Sequence, residues 1–179
     1  RTPSRAITTK PALRRAKPTA SRVAVITGAA VGIGAAVAKR LAQDGFHVMV
    51  TDRDVKAATK TARAIEKAAG LATPLELDVG NPDSIAQAFE AIGRTVGRCD
   101  VLVNNAGIAK TYPFIDFPLD NWNATMNINV TGTLLCSQHA ARLMRKRHWG
   151  RIISIASVAG MWALGTGRTA YGTSKAAVI

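Results

Sequence analysis

Short β-branched runs alternate with segments of helical spacing along most of this chain, and that alternation sharply limits the folds open to it. Val23–Thr27 is such a run and ends in a glycine turn. Residues 33–44 read as a helix stopped by Gly45, and 47–51 as a second buried strand. Residues 55–69 read as an Ala/Lys-rich helix ended by Gly70, and 75–77 as a short strand. Asn81-Pro82-Asp83-Ser84 has the side-chain and proline chemistry of a helix start, leading into a helix to about Val96. A fourth strand over 100–104, a long helix within 122–147 and a fifth strand over 151–156 complete the series. Strands of Val and Ile with helical spacers are βαβ units, so the pattern predicts an α/β fold. Its core is a doubly wound parallel sheet with helices on both faces.

A chain of 179 residues with 47% hydrophobic content can bury one sizeable core, and a single domain over 22–179 is expected. No apolar run approaches the about 20 residues that span a bilayer, so no membrane contact is expected. Cys99 and Cys136 are isolated, without metal-like spacing, and read as small core residues suited to a reducing, cytoplasmic setting. The net charge of +13 invites a nucleic-acid reading, but its distribution argues against one. Arg1, Arg5, Lys10, Arg14, Arg15, Lys17 and Arg22 are unopposed by any acid, whereas the remainder carries 17 basic and 11 acidic residues.

The segment 1–21 has three prolines and no hydrophobic periodicity, and is expected to be a disordered basic tail. Its Arg-rich, Ser-rich, acid-poor composition gives organellar import as a minority reading. A basic arm on nucleic acid is another, though no interleaved aromatics support base stacking. A second basic cluster, Arg142, Arg145, Lys146 and Arg147 before Gly150, suits the negative end of a helix dipole.

Thr27-Gly28-Ala29-Ala30-Val31-Gly32-Ile33-Gly34 lies between the first strand and the first helix. Free N–H groups and the helix dipole favour a pyrophosphate there. The spacing is G-x-x-x-G-x-G rather than the G-x-G-x-x-G of the common Rossmann fingerprint, within a Rossmann-like arrangement. Asp52 closes the second strand, 18 residues after Gly34. An acid there suits the ribose hydroxyls of NAD and would repel the 2′-phosphate of NADP. Arg53 follows directly and softens that discrimination, so NAD is favoured and NADP stays open. The competing reading is that Asp52 caps the next helix.

Tyr171 and Lys175 stand at i and i+4, which on a helix shares one face. A free phenol titrates near ~10, and a fixed cation beside it favours its ionised form near neutrality. Such a pair alone is a chance-level pattern. Here it follows four further motifs in order: T-G-x-x-x-G-I-G at Thr27 to Gly34, N-N-A-G at Asn104 to Gly107, Met126-Asn127-Ile128-Asn129-Val130, and Ser157. With these, the chain over 22–179 resembles a short-chain dehydrogenase/reductase.

The resemblance implies roles residue by residue. Thr27, Gly28, Ala30, Gly32, Ile33 and Gly34 would form the phosphate turn. Asp78 and Val79 would contact adenine, while Asn105, Ala106 and Gly107 would line the adenosine and nicotinamide ribose. Ser157 would bond the substrate oxygen and Tyr171 would move the proton. Lys175 would hold the nicotinamide ribose and lower the Tyr pKa. Asn129 would anchor a water relay to Lys175; Asn127 competes for that role, but Asn129-Val130-Thr131-Gly132 fits the family's N-[LV]-x-G pattern better.

The implied reaction is NAD(P)-dependent interconversion of a secondary alcohol and a ketone. The small-molecule substrate is left between a 3-oxoacyl thioester and a sugar or polyol. Tyr112, Phe114, Met161, Trp162 and Leu164, in segments 108–119 and 160–168, suit an acyl substrate or simply pack on the core. A non-catalytic dinucleotide sensor on the same fold is the alternative function. The resemblance also implies a homo-oligomer, a tetramer or dimer, joined through the helix after Asn129 and the Tyr171 helix.

Family members continue with two more strands, a substrate lid and a final helix, and the last strands of that fold are missing here. The span from Ser157 to Tyr171 is one residue longer than the commonest spacing. Residues 1–179 alone are therefore expected to be inactive, and measurable NADH-dependent turnover by this polypeptide would refute that.

Overall fold

In a computed structural model of the protein, residues 21–162 and 167–179 are described. The predicted basic tail at 1–20 and Leu164 lie outside them. Five strands form one sheet: β1 (Val23–Thr27), β2 (His47–Asp52), β3 (Leu71–Glu76), β4 (Val101–Asn104) and β5 (Arg151–Ser154). Their order is β3-β2-β1-β4-β5, with every pairing parallel. The helices are α1 (Gly32–Gln43), α2 (Val55–Lys67), α3 (Pro82–Thr95), α4 (Leu119–Met126), α5 (Gly132–Arg145) and α6 (Thr169–Val178).

Alternation along the central strand explains the layering. Ala24 and Ile26 of β1 join Val48, Val50 and Val103 under α1 and α2, where Ala38, Ala58 and Ile65 meet them. Val23 and Val25 join Met49 and Leu102 on the other face, against Ile85 and Phe89 of α3 and Cys136 and Ala140 of α5. Both faces of β1, β2 and β4 are covered, which is why those strands read as unbroken apolar runs, whereas Ile152 and Ile153 of β5 are exposed. Burial pushes the Cys99 and Cys136 thiols up to about 12, so both are inert packing groups at neutral pH.

Several boundaries differ from those predicted. β3 starts at Leu71, four residues earlier than expected, and runs through Pro74, which faces Val50. Proline is tolerated because β3 is an edge strand and needs no ladder donor on its outer side. The α2 helix ends two residues short of the expected Ala69. Its Gly70 N–H bonds the Ile65 carbonyl and its Ala69 N–H the Glu66 carbonyl. The left-handed residue of that stop is Ala69 (φ 60), not the glycine. Gly70 is required instead for close approach, since a Cβ there would sit 2.7 Å from Ile65 Cγ2. The long helix begins at Leu119, not Trp122, and a π-helical turn over Asn127–Thr131 divides it into α4 and α5.

β4 begins at Val101, directly after Asp100. Its Oδ2 accepts the Val23 N–H at 2.7 Å and its Oδ1 accepts Arg98 Nη2 at 2.6 Å, with the carboxylate almost fully buried. Burial alone would raise the Asp100 carboxyl, but the Arg98 guanidinium and the Val23 N–H outweigh it and hold it below the usual carboxylate range. This pair ties the start of β4 to the start of β1. Because the folded pKa is depressed, its contribution is complete above pH ~4 and is lost as pH falls through the folded value. Asp100→Ala should cost about 1–3 kcal/mol at pH 7 by leaving the buried Val23 N–H without its acceptor. In denaturant melts the deficit should shrink below pH ~4; equal midpoints at pH 7 would show that the pair contributes nothing.

Candidate active site

The connections leaving β1 and β4 diverge at the carboxyl edge of the sheet, because β1 is followed by β2 on one side and β4 by β5 on the other. Open α/β sheets form their ligand crevice at such a point. A cleft of ≈ 300 Å³ lies there, lined by Gly28, Asp52, Arg53, Asp78, Val79 and the segment Asn105 to Ile108.

Its floor is cross-braced. Thr27 Oγ1 accepts the N–H groups of Asn105 and Ala106 at 3.0 and 3.1 Å, and Asn105 Nδ2 donates to the carbonyls of Thr27 and Gly28, both at 3.0 Å. Side chains are excluded by contact: a Cβ on Gly28 (φ 62) would lie 2.9 Å from Ala106 Cα, and one on Gly34 only 2.3 Å from the Gly28 carbonyl oxygen. Gly32 has φ 58 with open space around it, so its requirement is conformational. At the start of α1 no side chain caps the helix and no acid stands in its first turn. Ile33 is exposed there. Among the described residues no side chain bonds the first-turn N–H groups of α1, which fits a phosphate-bearing ligand.

Asp52 turns out not to cap α2. Asp54 does so, its side chain accepting the Ala57 N–H at 3.0 Å. Asp52 instead accepts the Ala30 N–H at 3.1 Å through one oxygen and the Asp54 N–H at 3.1 Å through the other. Thr61, which the sequence reading passed over, donates to the Ala30 carbonyl at 2.7 Å. The glycine turn is thus held from β2 and α2 as well as from β4. Asp78 closes its own turn by accepting the Gly80 N–H at 2.8 Å, and Val79 is buried beside it.

The two asparagines of the π-helical turn take separate tasks. Asn127 donates to the Gly80 carbonyl at 2.7 Å, fixing the Asp78 turn. Asn129 is buried, and its carboxamide grips Ile108 by both backbone groups, at 2.9 and 3.0 Å. The same Nδ2 reaches Ser174 Oγ on α6 at 2.9 Å. The wider π turn sets Asn129 inward at this point.

Tyr171 and Lys175 lie on α6 as predicted, with Lys175 Nζ 5.8 Å from the Tyr171 ring centroid. Lys175 is only 6% exposed, and burial pulls it below the usual lysine range while the Ile155 carbonyl receives its ammonium. A Cβ on Gly107 would come 3.1 Å from Asn129 Oδ1 and 3.9 Å from Lys175 Nζ, so these three groups meet at the cleft's end.

Ser157 is half-buried after β5 and accepts the Ala159 N–H at 3.2 Å. It makes no hydrogen bond to Tyr171 among the described residues. Phe114, Met161 and Trp162 are well exposed, so they do not pack on the core. Tyr112 instead stacks edge-on against Phe117 at 5.6 Å and bonds the Gly167 carbonyl, drawing the two loops together.

Known proteins share this fold. A family model for short chain dehydrogenases matches residues 22–179. The 3-oxoacyl-(acyl-carrier-protein) reductase FabG of Aquifex aeolicus is 38% identical over 159 residues, covering 88% of this chain and 64% of that protein. A short-chain type dehydrogenase/reductase from Mycobacterium marinum superposes with a TM-score of 0.85 at 36% identity, covering 89% of this chain and 66% of that one. A gluconate 5-dehydrogenase from Burkholderia cenocepacia, solved with NADP and tartrate, gives 0.83 at 34% identity, covering 88% and 61%. The chain thus spans less than two thirds of the length of the curated relatives it matches. By its family match, its sheet and its cleft, the chain belongs to the short-chain dehydrogenase family.

Proposed function

We propose that the full-length protein interconverts a secondary alcohol and a ketone with a nicotinamide dinucleotide, using Tyr171 as the acid or base. The observation that carries this reading is the meeting of Asn129, Lys175 and Gly107 at one end of a cleft whose other walls are Gly28, Asp52 and Asp78. The uncapped α1 N-terminus, with its glycine cradle, would hold the pyrophosphate through backbone N–H groups. Gly107 and Lys175 would hold the nicotinamide ribose. A dinucleotide bound there supplies or receives the hydride.

The remaining work falls to the protein's own side chains. Ser157 and Tyr171 would donate hydrogen bonds to the substrate oxygen, where negative charge grows during reduction. Lys175, desolvated yet held by the Ile155 carbonyl, brings its ammonium to within 5.8 Å of the Tyr171 ring centroid, beside the group that would move the proton. Asn129 would seat the water that resupplies that proton.

Asp52 supports NAD as the preferred cofactor. A carboxylate has about four acceptor positions, and two are used by Ala30 and Asp54, leaving the others for ribose hydroxyls. Arg53 on the same wall keeps NADP accessible. Phe114, Met161 and Trp162, exposed in the segments that follow Ile108 and Ser157, favour an apolar substrate such as a 3-oxoacyl thioester over a sugar. That preference agrees with the name of the Aquifex relative. We place the protein in the cytoplasm, where the free Cys99 and Cys136 would stay reduced, and read it as a homo-oligomer from its family resemblance.

Tyr171→Phe in the full-length protein should lower kcat by about 10²–10⁴-fold while leaving dinucleotide affinity within about threefold. An unchanged kcat would remove Tyr171 from the chemistry. Asp52→Ala should shift the preference from NADH towards NADPH in paired titrations. A preference identical to that of the parent would overturn the cofactor argument.

A further inference from the structure

We propose that Ser174 is a positioning residue, which sets the rotation of the Tyr171 helix against the π-helical turn. The inference rests on the functional reading above and goes beyond it by assigning a residue that does not touch substrate or cofactor. Ser174 is fully buried. Its hydroxyl donates to the Tyr171 carbonyl at 2.8 Å and accepts from Asn129 Nδ2 at 2.9 Å. Asn129 in turn clamps both backbone groups of Ile108, next to Gly107. An unbroken polar chain therefore runs from the cleft wall through Asn129 and Ser174 to the backbone of Tyr171.

Every strong donor in that chain has one destination. The Ser174 proton goes to Tyr171, and the Asn129 amide protons go to Ile108 and Ser174. Removing the hydroxyl strands a buried Asn129 donor, which can recover a partner only if the carboxamide turns or α6 moves. Either response changes where Tyr171 and Lys175 sit relative to Gly107. Thr173 provides an internal comparison. Its hydroxyl also back-bonds within α6, to the Thr169 carbonyl at 2.9 Å, but it faces outward and touches none of the chain.

The test compares Ser174→Ala with Thr173→Ala in the full-length protein. Misplacement by about 1 Å can cost up to about 100-fold in rate, so Ser174→Ala should lower kcat by at least about tenfold. It should also displace the pH–rate profile and lower the melting temperature by a few degrees relative to Thr173→Ala, while the NADH dissociation constant stays close to that of Thr173→Ala. Ser174→Thr, which keeps the hydroxyl, should recover part of the lost rate. A Ser174→Ala enzyme with kcat and pH profile within twofold of Thr173→Ala would overturn the proposal. Should Ser174→Ala not fold, Ser174→Cys, close in volume but a weak donor, is judged by the same criteria. Parent protein that fails to bind NADH or NADPH would overturn the functional reading itself, whereas normal binding with an unimpaired Ser174→Ala would overturn only the positioning role.

Discussion

The Asn105 carboxamide, spread across the carbonyls of Thr27 and Gly28, holds the seam between β1 and β4 in one shape. Thr27 returns the constraint by accepting two N–H groups from the Asn105 segment. These bonds sit where the strand order reverses, so the sheet's divergence becomes a walled crevice and not a gap. The glycine turn depends on them, because Gly34 packs directly beneath the Gly28 carbonyl and the Asn105 amide. At the opposite end of the same two strands, Asp100 and Arg98 perform a similar joining role. β1 and β4 are therefore pinned at both ends, and the crevice inherits that rigidity.

From this seam a second layer of polar contacts reaches outward. Asp52 and Thr61 hold Ala30 from the β2 side, and Asn127 holds Gly80 from the helical side. Asn129 connects the seam to α6 through Ile108 and Ser174. The cleft wall and the Tyr171 helix thus share one hydrogen-bonded frame. A buried ammonium at Lys175 is costly in isolation, and its bond to the Ile155 carbonyl anchors it to the end of β5.

Much of the fold was legible because period and punctuation agree along the chain. The β1 run, the Asn81-Pro82 start of α3 and the Gly45 stop of α1 each carry a local signal that the tertiary structure keeps. The early start of β3 was not legible, because only the sheet order shows that Pro74 lies in an edge strand, where its missing ladder donor is tolerated. The π turn left no trace in helical periodicity, since it inserts one residue into an otherwise continuous pattern. In the site, the motif residues were found by order and spacing. Ser174 and Thr61 were not, because their partners are 45 and 31 residues away. Ser174 could have been suspected from its place between Tyr171 and Lys175, at i+3 on the inward face of one helix. Asp52 was singled out by position, and its bond to the glycine turn needed coordinates.

The central claim is that this crevice directs a hydride between a nicotinamide ring and a carbonyl carbon. It is tested most directly by incubating the full-length protein with NADH or NADPH carrying deuterium at the nicotinamide C4 position, together with a panel of 3-oxoacyl thioesters and ketoses. Mass spectrometry then follows the label. The account predicts one deuterium on the carbinol carbon of a reduced product, strongest among the thioesters. Tight dinucleotide binding with no label transferred to any carbonyl compound in the panel would contradict it.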